Sequence, residues 1–178
     1  MVGTRDGRAD RGPCAPPVSH ARIWLAGIGL LLYILLVLTA TMWPTPLDRG
    51  YESSIARFLD VLHRNGVPEW FGYRKFEFTA NIAMFLPLGF LLVLVLRRRV
   101  MWLALLIVPL SSITIELLQA LLLAERFASP LDVLANTLGG IIGGGAGALV
   151  RAGVNARDRK VIARAVWLDR ADRSGASW

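Results

Sequence analysis

The stretch that decides the fold is IWLAGIGLLLYILLVLTATMW, residues 23–43, a run of 21 residues without a charged side chain. An α-helix rises about 1.5 Å per residue, so this run is just long enough to cross a hydrocarbon core about 30 Å thick. Trp24 and Trp43 stand near its two ends, where indole rings favour the headgroup level. The apolar region of a cleaved signal peptide is only about 7–15 residues long, so we predict a retained membrane span.

Three further apolar runs lie along the chain, at residues 78–96, 100–124 and 131–150. The third span carries Glu116 and Gln119, and the fourth opens with Asp132. The whole chain is 54% hydrophobic, which is more than an ordinary soluble domain contains. The sequence therefore predicts an all-α membrane protein, a four-helix transmembrane bundle.

The basic residues predict the orientation of this bundle. Arginines precede the first span, form the link Arg97–Arg99 between the second and third, and follow the fourth. The segment 44–77 is balanced, with five basic and five acidic residues. Because cytoplasmic flanks carry the excess of Lys and Arg, we predict that both termini are cytoplasmic. The net charge of +7 belongs to these flanks, so no nucleic-acid partner is expected.

Composition divides the chain into three parts. Residues 1–21 are rich in Gly, Pro and Arg and are predicted to be a disordered cytoplasmic tail. Residues 22–150 form the four-span membrane domain, and residues 151–178 form a basic cytoplasmic tail. A helix is predicted in this tail through Val161, Ile162, Ala165 and Val166.

The first outside segment has a helical pattern of its own. Ile55, Phe58, Leu59 and Leu62 recur at helical spacing, and the Asn65-Gly66 pair supplies a stop. This pattern predicts a short amphipathic helix that lies on the outer membrane surface.

Polar residues of the last three spans fall in the outer half of the membrane once this topology is assumed. The predicted ligand-binding residues are Asn81, Glu116, Gln119, Arg126, Asp132 and Asn136. An ionised glutamate within hydrocarbon costs about 2.5–3.5 kcal/mol on insertion scales. Glu116 is therefore expected to face the bundle, and Arg126 in the outside link is the nearest cation for it. Together these residues predict an outward-facing polar pocket.

Each of these residues also has a structural interpretation. Ser129 and Asp132 fit the N-cap and N3 positions of a capping box at the start of the fourth span. Asn136 and Gln119 could hold helices together, since interhelical hydrogen bonds contribute about 0.6–2 kcal/mol. Glu116 is the residue that a structural role explains least well, because it lies deep in its span.

The fourth span is rich in glycine, at residues 139, 140, 143, 144, 145 and 147. Gly140 with Gly144 and Gly143 with Gly147 have the GxxxG spacing that allows helices to approach closely. The spacing fits packing within the bundle or a homo-oligomer, and both alternatives stay open.

An ordered set of motifs resembles the VanZ-like family of bacterial integral membrane proteins. The set is Asn81–Gly89 (NIAMFLPLG), Glu116–Gln119 (ELLQ), Arg126, and Asp132–Gly140 (DVLANTLGG) followed by Gly143. The resemblance covers roughly residues 25–150 and implies a four-span cell-envelope protein of the bacterial plasma membrane. The namesake of the family is associated with reduced susceptibility to glycopeptide antibiotics, teicoplanin especially.

Two functions follow from the residues and the resemblance together. In the first, the polar pocket binds a lipid-linked cell-wall component or a lipophilic glycopeptide and influences antibiotic susceptibility without catalysis. In the alternative, Glu116 is the general base of an intramembrane enzyme that acts on a lipid-linked substrate. A transporter is disfavoured because the polar residues stop in the outer half. No cofactor or metal site is predicted, since Cys14 stands alone and two carboxylates are few for a cation.

Overall fold

A computed structural model describes residues 20–42, 50, 52–122 and 129–173, whose regular secondary structure is helical, with no β-strand among them. The helices are α1 (His20–Thr41), α2 (Glu52–Arg64), α3 (Tyr73–Val95), a 3₁₀ helix (Arg98–Leu103), α4 (Ala104–Leu122) and α5 (Pro130–Arg173). The segments long and apolar enough to cross a membrane are Ala21–Thr41, Tyr73–Val95, Arg98–Leu122 and Pro130–Asp172. The prediction of an all-helical chain with four candidate spans is confirmed.

Helix bounds differ from the predicted spans where polar residues continue a helix. α3 begins at Tyr73, five residues before the apolar run, after Gly72 with extended backbone. α5 continues beyond residue 150 to Arg173. Hydropathy marks only the apolar part of a helix, whereas the Arg, Ala and Lys residues after 150 are good helix formers and extend it.

The chain divides into two compact units. Residues 20–151 form the unit that contains the bundle. In the other unit the described residues, 152–173, are a helical continuation of α5. This continuation carries basic residues together with exposed Val161, Trp167 and Leu168.

The segment of the predicted amphipathic helix corresponds to α2. Leu59 is buried, and the ring of Phe58 lies 5.7 Å from that of Phe76 at the start of α3, centroid to centroid. A ring nitrogen of His63, Nε2, lies 3.1 Å from the carbonyl oxygen of Phe71. Through these contacts α2 packs against the first turn of α3 and the residues just before it. Its location on the outer membrane surface stays a prediction.

Within the unit 20–151, polar and apolar residues are distributed as in a lipid-embedded bundle. Large apolar side chains such as Leu32, Leu110 and Leu149 are exposed. Buried polar side chains include Ser112, Glu116, Gln119 and Asn136. Exposed apolar surface of this extent is unfavourable in water and favourable against lipid. The distribution agrees with the four candidate spans.

α3 and α5 meet through a glycine seam, which consists of three α5 glycines and the three α3 carbonyl groups opposite them. The pairs are Gly139 with Ile82, Gly143 with Leu86, and Gly147 with Phe90. A side-chain carbon on any of these glycines would crowd the opposite backbone. Residues four apart share one helix face, so the seam is continuous along both helices. The glycines of the seam therefore serve packing within the chain; an additional homo-oligomer stays a prediction.

α1 packs antiparallel to α3. The hydroxyl of Tyr33 donates a hydrogen bond to the carbonyl oxygen of Met84 (2.8 Å), and Gly29 faces Leu91. Residues with lower numbers in α1 therefore lie beside residues with higher numbers in α3. The beginning of α1 consequently lies beside the end of α3.

Candidate functional site

Polar groups from all four long helices occupy one end of the bundle, where α1 and α4 end and α3 and α5 begin. We call this set the polar layer. It consists of the carbonyl group of Thr41 and residues Asn81, Ser112, Glu116, Gln119, Ser129, Asp132 and Asn136. The predicted convergence of polar residues at one depth is thus visible as hydrogen bonds between helices.

Asn81 and Asp132 join α3 to α5. The side-chain amide of Asn81 donates to Oδ1 of Asp132 at 2.8 Å. Asp132 lies in the first turn of α5, where the backbone N–H groups of Asp132 and Val133 donate to the carbonyl oxygen of Ser129. This backbone pattern fits the predicted helix start at Ser129. The carboxylate combines two roles, because it sits at the positive end of α5 and also accepts a bond from another helix.

Glu116 joins α4 to the beginning of α5. Only 7% of Glu116 is exposed, and its Oε2 accepts a hydrogen bond from the backbone N–H of Ser129 at 2.9 Å. Amide groups at a helix start lack intrahelical acceptors and carry a partial positive charge, so a carboxylate is stabilised there. The predicted cation for Glu116, Arg126, lies outside the described residues. The backbone donor at Ser129 was not predicted, although the capping signal at Ser129 marked its position.

Gln119 joins α4 to the end of α1. Its buried side-chain amide donates to the carbonyl oxygen of Thr41 at 2.8 Å. Thr41 is the last residue of α1, and the last carbonyl groups of a helix lack intrahelical donors. Gln119 therefore caps α1 from a neighbouring helix. Side-chain patterns do not predict this partner, because it is a backbone group.

Ser112 and Asn136 form the deepest pair of the polar layer. The side-chain amide of Asn136 donates to Oγ of Ser112 at 2.9 Å, and both residues are buried. In the part of the chain that the structure describes, Oδ1 of Asn136 has no hydrogen-bond partner. A buried acceptor without a donor costs about 1–3 kcal/mol. This atom is therefore available to a hydrogen-bond donor that enters the bundle.

The chemistry of the polar layer is dominated by acceptors. It contains the carboxylates of Glu116 and Asp132, which accept hydrogen bonds from Ser129 and Asn81, and the amide oxygen of Asn136, which has no partner among the described residues. Such a set suits a ligand that presents hydroxyl, amide or ammonium groups. Among the described residues, no group of three or more His, Cys, Asp or Glu side chains is placed to hold a metal ion.

The structure describes five of the six predicted ligand-binding residues. Asn81, Glu116, Gln119, Asp132 and Asn136 all belong to the polar layer, whereas Arg126 lies outside the described residues. The structure joins Asn81 directly to Asp132. The bonds described above join the other three to Ser129, Thr41 and Ser112. Their role in ligand binding stays a prediction.

Comparison with models of known protein families gives a match. The family model described as VanZ/LLP1 matches residues 29–151, which is more than half of the chain. The matched range includes α3, α4 and every residue of the polar layer. The resemblance inferred from the motifs is confirmed. No curated protein and no solved structure matches the chain.

Proposed function

The chain belongs to the VanZ/LLP1 family, and on that premise we propose that it is a cell-envelope protein that influences susceptibility to teicoplanin-type glycopeptide antibiotics. The polar layer is the site of this function. It binds a lipid-linked cell-wall component or a lipophilic glycopeptide, whose apolar chain lies in the bilayer while its polar part enters the bundle. The protein changes how the antibiotic meets its target and needs no covalent chemistry to do so.

The observation that carries this proposal is the free acceptor on Asn136. Its Oδ1 is buried and lacks a partner within the described residues. If Asn136 served only to hold the helices together, we would expect its Oδ1 to have a partner or an apolar residue to stand in its place. An unpaired buried acceptor destabilises the fold. A ligand that donates a hydrogen bond to this oxygen would recover the lost free energy.

The proposed orientation places the polar layer in the outer half of the bacterial plasma membrane, with both termini in the cytoplasm and α2 on the outer surface. Arginine supports this orientation. Arg22, Arg97–Arg99 and Arg151 are all at the end of the bundle opposite the polar layer, as the positive-inside rule requires for the cytoplasmic end.

The single cysteine, Cys14, offers a test of this orientation. We expect a membrane-impermeant maleimide to label Cys14 only after the cells are permeabilised. A Cys14→Ser, Trp70→Cys variant carries its thiol on the exposed residue Trp70, between α2 and α3, and should be labelled in intact cells. The reverse labelling pattern would contradict the proposed orientation.

The function is tested by teicoplanin susceptibility in matched bacterial cells with an empty vector, the wild type or Glu116→Gln. Membrane levels of the protein are checked for each. We expect the wild type to lower susceptibility and Glu116→Gln to lose most of that effect, because an amide carries no negative charge for the ligand. Thr114→Ala is the matched control on α4, since Thr114 is exposed and its hydroxyl bonds only to the carbonyl oxygen of Leu110 among the bonds described. Full protection by Glu116→Gln at equal protein level would contradict a binding role for Glu116.

Analysis of lipid extracts distinguishes the enzymatic alternative from ligand binding without catalysis. If Glu116 is a general base, lipid extracts of wild-type cells contain a modified lipid-linked species that Glu116→Gln cells lack. Binding alone predicts identical extracts from the two strains.

A further inference from the structure

We propose that a groove between α1 and α3, at the arginine-bearing end of the bundle, binds an acyl chain of an anionic phospholipid. The groove has a volume of about 340 Å³. Its lining is formed by Ile23, Trp24, Gly27, Ile28, Leu31 and Val95. It lies at the end of the bundle opposite the polar layer, and the proposal does not depend on the antibiotic function.

The shape of the groove fits a lipid chain. Its α1 residues recur at helical spacing and share one face. From Ile23 to Leu31 the helix rises roughly 12 Å, which is most of the depth of one leaflet in a hydrocarbon core about 30 Å thick. Gly27 lines the groove without a side chain, and a side-chain carbon added there would meet nothing within 4 Å, so this part of the groove has room for an occupant. The lining side chains are apolar, apart from the indole N–H of Trp24.

Charge around the groove selects the headgroup. Since α1 and α3 are antiparallel, Arg22 and Arg97 both flank the end of the groove formed by Ile23 and Val95. Arg98 and Arg99 follow directly, and residues 20–30 and 90–108 contain no Asp or Glu. Basic groups at a membrane surface attract anionic lipid headgroups. A zwitterionic lipid would fill the groove equally well but would gain less from these arginines.

Arg151 adds to this basic end and also maintains its geometry. Its guanidinium group donates to the carbonyl oxygens of Val93 (3.0 Å) and Leu96 at the end of α3. The last carbonyl groups of a helix lack intrahelical donors, and cations are favourable near them. Val95, which lines the groove, is thereby held between two residues that Arg151 fixes.

The test uses the full-length chain purified in detergent and native mass spectrometry. Phosphatidylglycerol and phosphatidylcholine with identical acyl chains are added in equal amounts. We expect the wild type to retain one phosphatidylglycerol in preference to phosphatidylcholine. Gly27→Leu fills the groove and should lower this retention roughly tenfold, the loss expected when about two methylene groups are no longer buried. Gly145→Leu is the matched control, because Gly145 also faces open space, on α5, and it should bind like the wild type.

A second variant addresses the headgroup without changing the groove. The Arg97→Gln, Arg98→Gln variant alters exposed side chains and should weaken phosphatidylglycerol retention roughly fivefold for each arginine. Circular dichroism verifies helix content for every variant. If Gly27→Leu fails to fold, the Arg97→Gln, Arg98→Gln variant tests the proposal. Equal retention of the two lipids by the wild type, or unchanged retention by Gly27→Leu, would overturn the proposal. So would a dimer that Gly27→Leu abolishes, because the groove would then hold a second copy of the chain.

Discussion

α3 and α5 meet in two ways. At the glycine seam their backbones touch because side chains are absent, whereas in the polar layer Asn81 and Asp132 reach across with specific functional groups. The seam depends on volume alone, so any added atom disturbs it. The polar layer depends on chemistry, so an isosteric change can leave its packing intact. Changes in the seam should therefore lower stability most, and isosteric changes in the polar layer should separate function from stability.

The largest effect is expected at the centre of the seam. Gly143→Ala places a methyl group against the carbonyl oxygen of Leu86, a backbone atom that cannot rotate away. We expect a loss of about 1–3 kcal/mol or more in the free energy of unfolding, measured by thermal unfolding in detergent and by protein level in the membrane.

Gly145→Ala is the control for this prediction. A methyl group there meets nothing within 4 Å, and alanine is favoured over glycine inside a helix by roughly 0.5–1 kcal/mol. Gly145→Ala should be as stable as the wild type or more so. Equal stability of the two variants would show that the seam is not packed as described.

Removing the Glu116 side chain should have the next largest effect. Glu116→Ala leaves the N–H of Ser129 without the acceptor it has now, at a cost of about 1–3 kcal/mol. Glu116→Gln keeps a carbonyl oxygen in place and should cost less. Thermal unfolding of both variants checks the order, and a Gln variant less stable than the Ala variant would argue against this hydrogen bond.

The Asn81–Asp132 hydrogen bond should show a moderate coupling. Asn81→Ala, Asp132→Ala and the double variant form a double-mutant cycle, with stability measured for each. We expect a coupling free energy of about 0.6–2 kcal/mol, the range of interhelical hydrogen bonds in membranes. A coupling near zero would mean that the two residues act independently.

The smallest effect on stability is expected at the deepest pair. Ser112→Ala with Asn136→Leu replaces both partners by apolar groups of similar size and removes the unpaired acceptor. Such paired replacements are nearly neutral or stabilising. The melting temperature of the double variant should therefore equal or exceed that of the wild type, and a clear decrease would show that the pair stabilises the bundle.

Much of this fold could be predicted from the sequence because lipid constrains it strongly. Uncharged runs of about 20 residues and alternating basic flanks leave few topologies. The depth of Asn81 and Asp132 followed from the same reasoning, and their contact agrees with it.

The partners of Glu116 and Gln119 could not be predicted in the same way. Both side chains bond to backbone groups at helix ends, at Ser129 and Thr41. A helix end is defined by hydrogen bonding, and apolar periodicity locates it only to within a few residues. A helix through Val161 and Val166 was predicted, but its continuity with the fourth span was not, since hydropathy does not register a polar continuation of a helix.

The most direct test of a functional polar layer is teicoplanin susceptibility in cells that carry the Ser112→Ala, Asn136→Leu variant at the wild-type membrane level. The proposal predicts a protein as stable as the wild type that no longer lowers susceptibility, because the acceptor for the ligand is gone. Full protection by this variant would contradict the central claim and leave the polar layer with a structural role only.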